Sequence, residues 1–323
     1  MISKSNKATG AILVTGATGF LGRHLIPVLQ ERYGAEKITG LSSRDYDLME
    51  PDGWRRMLAE LRPDVLVHLA AYSGGIGANR AYPADFYYRN TILTAHAFQA
   101  AAKFKVRKLV YPMGGCSYPA NAASPIDESQ MWNGFPQPES AGYSCAKKMG
   151  IVAGVAYRQQ HGLSTSVIIP GNMYGEYDNF TRDGSHVIPA MIRRYYEATL
   201  ESQPQVAMWG SGSPTRDFVY AGDVARVIPF FIEEYDSPEP VNISSGTSTS
   251  IRELAEAVKQ ACGYEGHIEW DTSKPDGQAV KIFDVTRLKQ LDLHCITPLR
   301  DGLQKTIEWF RRNYEKQGDG LRL

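Results

Sequence analysis

Over the first half of the chain, apolar residues fall in short unbroken runs separated by amphipathic stretches. Residues 11–16 (AILVTG) form an apolar run too short for a helix, as expected of a strand buried on both faces. Residues 21–33 instead carry Leu21, Leu25, Val28 and Leu29 at helical spacing. Residues 37–43, 64–71 (DVLVHLAA), 108–112 (KLVYP) and 166–170 (SVIIP) repeat the strand pattern, and residues 84–103 and 143–160 repeat the helical one. Strands alternating with helices predict βαβ units and a parallel sheet covered on both faces. Right-handed crossovers then give an α/β, doubly wound parallel sheet.

After about residue 175 the pattern loosens, and Gly, Asn, Asp and Ser crowd residues 175–185. A helix is expected at 187–197, a strand at 241–245, and helices at 251–262 and 300–314. This half reads as a smaller C-terminal lobe interleaved with late strands of the sheet.

The chain has 323 residues, 43% hydrophobic and 22% charged, with equal numbers of acidic and basic residues. A formal charge of zero does not point to a large basic face for nucleic acid, and local positive clusters stay open. The four cysteines (Cys116, Cys145, Cys262, Cys295) show no CxxC pairing, so a structural zinc is not expected and they read as reduced thiols. The first nine residues are polar and lack a signal-peptide core, and no apolar run approaches the ~20 residues of a membrane span. A cytoplasmic protein is expected.

Candidate chemistry begins at residues 15–22 (TGATGFLG), a GxxGxxG spacing between a predicted strand and a predicted helix. Gly16 permits the tight turn, Gly19 lets backbone approach a pyrophosphate, and Gly22 allows close helix–strand packing. The helix N-terminus then faces the phosphates with partial positive charge. A Rossmann site for a dinucleotide follows, with Gly16, Thr18, Gly19, Phe20 and Leu21 in its loop. The strand ends add Ala70, Ala71, Pro170, Asn172 and Met173. At the tip of the second strand, Arg44 suits the 2′-phosphate of NADP better than the ribose of NAD, although Asp45 lies beside it and NAD stays open. Residues 1–175, with late strands from 217–247, are expected to form the dinucleotide-binding domain; residues 176–216 and 248–323 form the substrate-binding lobe.

Tyr143 and Lys147 form a YxxxK spacing on one helix face. A phenol with pKa about 10 is a poor acid–base at neutral pH, and a neighbouring ammonium favours its phenolate. Tyr143 could then protonate a substrate oxygen as hydride reaches the carbon.

The glycine loop, the DVLVHLAA strand, Asn90 in the next helix and YxxxK together resemble the extended short-chain dehydrogenases/reductases. Residues 68–79 (HLAAYSGGIGAN), 82–86 (YPADF), 116–119 (CSYP), 172–175 (NMYG), 178–180 (DNF), 185–190 (SHVIPA), 209–218 (WGSGSPTRDF) and 273–277 (SKPDG) resemble, within that family, the GDP-L-fucose synthases. The resemblance spans nearly the whole chain. It implies an NADP-dependent epimerase and reductase acting on a GDP-linked 4-keto-6-deoxy sugar, working as a homodimer. It implies Cys116 and His186 as the proton-transfer pair of the epimerisation, both with ordinary pKa values close enough to neutral for the task. It also implies Arg194 and Arg216 near the diphosphate, Lys274 near the nucleotide, Trp209 packed on a base, and Asn172 on the pyrophosphate or sugar.

One departure stands out. The family pattern has a serine two positions before the cysteine, where this chain has Gly114. Loss of one such donor can cost about 3–4 kcal/mol of transition-state stabilisation. Ser117 is a nearby substitute. Gly114 therefore favours a second reading, a nucleotide-sugar epimerase without net redox change, and a related NDP-sugar dehydratase also stays open. A third reading, a cofactor sensor without catalysis, is opposed by the intact Tyr143 and Lys147.

Overall fold

The structure is a computed structural model and describes residues 10–317 apart from 183 and 275. The polar first nine residues and the proline of the 273–277 motif lie outside the described residues. In chain order the first half contains β1 (Ile12–Thr15), α1 (Phe20–Tyr33), β2 (Ile38–Leu41), α2 (Pro51–Leu61), β3 (Val65–His68), α3 (Ile76–Ala81), α4 (Pro83–Lys103), β4 (Lys108–Pro112), α5 (Ala141–His161), β5 (Ser164–Pro170) and β6 (Asn172–Tyr174). The second half contains α6 (Val187–Leu200), β7 (Gln205–Trp209), β8 (Thr215–Arg216), β9 (Phe218–Tyr220), α7 (Ala221–Glu233), β10 (Val241–Ile243), β11 (Thr249–Ser250), α8 (Ile251–Cys262), β12 (His267–Asp271), β13 (Val280–Lys281), α9 (Thr286–Gln290) and α10 (Leu299–Gln317).

Six strands form one parallel sheet in the order β10-β5-β4-β3-β1-β2. The unbroken apolar runs arise because both faces are covered. Ile12, Val14, Val65 and Val67 face a cluster built with α1 and α7, whereas Leu13, Leu66 and Leu109 face one built with α2, α4 and α5. Each such side chain contributes about 1.5–3 kcal/mol by leaving water. A third cluster joins α6, α8 and α10 with β7. Only β10, among the late strands, enters the main sheet. Contrary to expectation, β9 pairs with β6 in a separate two-stranded ribbon, because β6 already steps away from the sheet after Pro170.

The chain leaves β1 for β2 on one side and returns to β3 on the other. This switch point opens a crevice at the C-terminal strand ends, where ligands of doubly wound sheets bind.

Candidate active site

The glycine loop lies in that crevice. Gly16 has φ +70°, and a Cβ on it would stand 2.7 Å from the amide nitrogen of Ala70. Its hydrogen-only side therefore lets the ends of β1 and β3 touch. A Cβ on Gly22 would stand 2.5 Å from the carbonyl oxygens of Gly16 and Ala17, so α1 packs directly on the loop. Gly19 begins α1 without a side-chain cap, and the first turn carries no acidic residue. Its free N–H groups are left to a ligand, and an anion suits them. Phe20 is half-buried at the loop and Thr18 is exposed. The Leu21 side chain is buried in the core, so this residue can offer only its backbone to a ligand. At the tip of β2 the Asp45 carboxylate folds back onto Ser42, accepting from its amide (2.7 Å) and its hydroxyl (2.8 Å). These bonds hold its pKa below the usual carboxylate range. Arg44 is left exposed. These features fit a dinucleotide carrying an extra phosphate.

Beyond β3, the Asn90 side chain grips the loop through Tyr72, accepting from its N–H (3.0 Å) and donating to its carbonyl (2.9 Å). It is a scaffold residue. His68, at the end of β3, is fully buried with Nδ1 2.8 Å from the Thr15 hydroxyl, and burial pushes its pKa down to about 3.

The reactive groups gather after β4 and at the start of α5. A Cβ built on Gly114 would lie 3.1 Å from Cys116 Sγ, 3.2 Å from Tyr143 Cε1 and 3.6 Å from Tyr143 Oη. Thiol and phenol therefore flank one point. One turn along α5, the buried Lys147 places its ammonium 4.0 Å from the centre of the Tyr111 ring. Burial pushes the Lys147 pKa down to about 7 and the Tyr143 phenol upward. Ser117 is fully buried, with no partner for its hydroxyl among the described residues, so burial keeps it from replacing the missing serine.

His186 caps the N-terminus of α6, with an exposed imidazole 3.9 Å from the Asp178 carboxylate, which raises its pKa. Its loop meets the β3 loop, where the Gly75 N–H donates to the Gly184 carbonyl at 3.1 Å. The structure thus brings Tyr143 and Cys116 together directly. His186 lies on the loop that meets the β3 loop, and its charged neighbour is Asp178.

A strip of cations runs away from Cys116. Half-buried Arg216 is fixed by its Nη1 donating to the carbonyls of Thr215 (2.8 Å) and Gln278 (2.7 Å). Lys281 pairs with it in register across β8 and β13, and burial lowers the pKa of both. Among the described residues neither has an ion-pair partner, a setting that suits an anion. The Asp276 carboxylate interrupts the strip and is tied to Ser211, accepting from its amide and hydroxyl. Lys274 sits 5.9 Å over the ring of Trp209, which is 70% exposed and is therefore not a core residue. Exposed Arg194 donates to the Ala207 carbonyl on the same strand as Trp209. Asn172 donates its amide to the Asp217 carbonyl at 2.8 Å, and Met173 packs on the sheet core below it.

Lys281 is the residue that sequence reasoning missed. It alternates with Phe283, whose ring would meet a Cβ on Gly115 at 2.4 Å, so this segment lies directly on the Cys116 turn.

Residues 12–244 match the family model described as NAD dependent epimerase/dehydratase family. The chain is 36% identical to GDP-L-fucose synthase 1 of Arabidopsis thaliana, over 97% of this chain and 96% of that protein. It is 35% identical to GDP-L-fucose synthase of Escherichia coli (strain K12), over 94% of this chain and 98% of the other. A crystal structure of a GDP-L-fucose synthetase from Naegleria fowleri bound to NADP aligns with TM-score 0.85 and 28% identity, over 95% of each chain. The crevice, the glycine loop and these matches together make the chain a member of the NAD dependent epimerase/dehydratase family, enzymes of the extended short-chain dehydrogenase/reductase type.

Proposed function

We propose that the protein is an NADP(H)-dependent epimerase/reductase of a GDP-linked 4-keto-6-deoxy sugar. The observation that carries this is the pairing of Cys116 and Tyr143 about one point, at the end of a cation strip able to hold a diphosphate. The 4-keto group acidifies the hydrogens on both neighbouring ring carbons. The Cys116 thiolate removes such a proton from one face, and the electron pair of the broken C–H bond moves toward the carbonyl oxygen. The Tyr143 hydroxyl holds the charge that develops there. Protonated His186 delivers a proton to the opposite face, which inverts the carbon. When bound, NADPH supplies the hydride that reduces the carbonyl carbon. Tyr143 then gives its proton to the carbonyl oxygen, and the Lys147 ammonium stabilises the phenolate that remains.

Residues 1–175, with 217–247, would hold the dinucleotide through Gly16, Thr18, Gly19, Phe20, Leu21, Arg44, Ala70, Ala71, Lys147, Pro170, Asn172 and Met173. Residues 176–216 and 248–323 would grip the sugar nucleotide through Arg194, Trp209, Arg216, Lys274 and Lys281, with Asn172 at the junction. Arg's planar fork matches paired phosphate oxygens. We further propose a cytoplasmic homodimer. Tyr87 and Tyr88 on α4 and Met149, Val152 and Val155 on α5 are exposed and apolar, as a helix-to-helix interface requires. Among the described residues no helix is long and apolar enough to cross a membrane.

Gly114 favours the second reading, epimerisation without net reduction. Incubation with GDP-4-keto-6-deoxy-mannose in deuterated water, with and without NADPH, separates the two. Label uptake together with NADPH consumption is expected. Uptake without consumption supports the epimerase alone, and neither event removes this substrate.

A further inference from the structure

We infer that Asp178 is a positioning residue, holding the His186 imidazole in place and keeping it protonated for its step; this rests on the catalytic reading of His186 given above. Asp178 is only 3% exposed, an expensive place for a carboxylate without a counter-charge. Its Oδ1 accepts the Asn179 N–H at 2.7 Å, and among the described residues its buried Oδ2 has no hydrogen-bond partner. His186 Nδ1 is 3.9 Å from Oδ1, close enough for charge attraction and too long for a hydrogen bond. Catalytic contacts of this kind tighten when substrate arrives.

The loop between the two residues is built to keep them opposed. Phe180 is fully buried, and Tyr177 packs against His24 and Trp309 with ring centres 5.4 and 5.2 Å away. The Asn179 side chain accepts the Thr181 N–H at 3.0 Å and donates to the Gly184 carbonyl at 3.1 Å, drawing the far end of the loop back. Other described charged groups around the pair have different engagements. His24 on α1 is shifted toward its neutral form by burial, with its Nε2 2.9 Å from the Glu176 carbonyl oxygen. The Glu176 carboxylate accepts from the Tyr220 hydroxyl at 2.8 Å. Arg226 bonds Asp223, and Arg182 pairs with Glu197 at 3.4 Å. His186 is thus the cation geometrically available to Asp178, and protonating it also satisfies the buried carboxylate.

The test is a histidine-selective NMR titration of the full-length enzyme, with His186→Asn assigning the resonance, in parallel with the pH profile of deuterium uptake into the 4-keto sugar. In Asp178→Asn the His186 titration moves to lower pH, and uptake falls about tenfold to a hundredfold. The limb of the pH profile assigned to His186 moves with it, KM and thermal midpoint stay near wild type, and Asp178→Glu restores part of the rate. An unmoved titration in Asp178→Asn, with uptake still lost in His186→Asn, overturns the pairing and leaves His186 catalytic. Full uptake in His186→Asn overturns the catalytic reading, and the positioning role with it, even where the titration moves.

Discussion

The sulfur of Cys116 and the phenol oxygen of Tyr143 lie 3.1 and 3.6 Å from one point, the place where a Cβ on residue 114 would stand. Because residue 114 is glycine, no side chain stands between them. The proton acceptor proposed for carbon and the proton donor proposed for oxygen are thus neighbours on one turn.

Refilling that space is the first test. In Gly114→Ser the new Cβ would press on a thiol at the free end of its side chain and on the edge of the Tyr143 ring, so small shifts accommodate it. The added hydroxyl is a second donor to the carbonyl oxygen. The ratio of NADPH oxidation to deuterium uptake should rise about tenfold or more, read in one reaction by absorbance and mass spectrometry. A fall in both rates would mean that crowding outweighs the donor.

Arg216 and Lys281 have no described acidic partner, so their counter-charge is expected to be the substrate's diphosphate. Arg216→Ala should raise KM for the sugar nucleotide about tenfold to a hundredfold, the worth of a charge-assisted contact. Lys281→Gln should act in the same direction. Steady-state kinetics at two salt concentrations checks this, since added salt should weaken the wild type more than either variant.

Arg44 is free at the tip of β2 while Asp45 is tied to Ser42. Arg44→Ala should weaken NADPH binding about tenfold or more and leave NADH binding unchanged. Fluorescence titration with both cofactors measures it.

Buried His68 gives a pH dependence with a definite sign. Its pKa is pushed down to about 3 by burial, with the Lys147 charge adding to the shift. An unfolded histidine titrates near 6.5. Between those values the unfolded chain holds the extra proton, so stability is full above about pH 6.5 and falls as the pH drops toward 3, by up to a few kcal/mol. His68→Asn should lose less stability between pH 7 and pH 4.5 than the wild type, as measured by urea midpoints.

Much of this site was legible in the sequence because backbone needs dictated it. Gly16 and Gly22 are glycines since any side chain would strike Ala70 or the loop's own carbonyls. The strands of the sheet were legible because burial on both faces leaves unbroken apolar runs. α7 was not, because Pro229 lies inside it and reads as a helix breaker. α2 is amphipathic, with Trp54, Met57 and Leu58 buried, but it begins at Pro51 and contains Gly53. Lys281 and the role of Asp178, which the DNF motif contains, escaped notice because they depend on contacts across lobes and loops, which no local pattern records. The status of Ser117 was equally hidden, since burial rather than sequence distance keeps its hydroxyl from the cleft.

The most direct test compares wild type, Cys116→Ser and Tyr143→Phe on GDP-4-keto-6-deoxy-mannose in deuterated water with NADPH, following ring deuterium and NADPH absorbance together. The account predicts both events in the wild type, loss of deuterium uptake in Cys116→Ser, and in Tyr143→Phe NADPH oxidation reduced by about a hundredfold or more with uptake weakened as well, since the same hydroxyl holds the enolate charge. Undiminished NADPH oxidation in Tyr143→Phe, or undiminished uptake in Cys116→Ser, would contradict it.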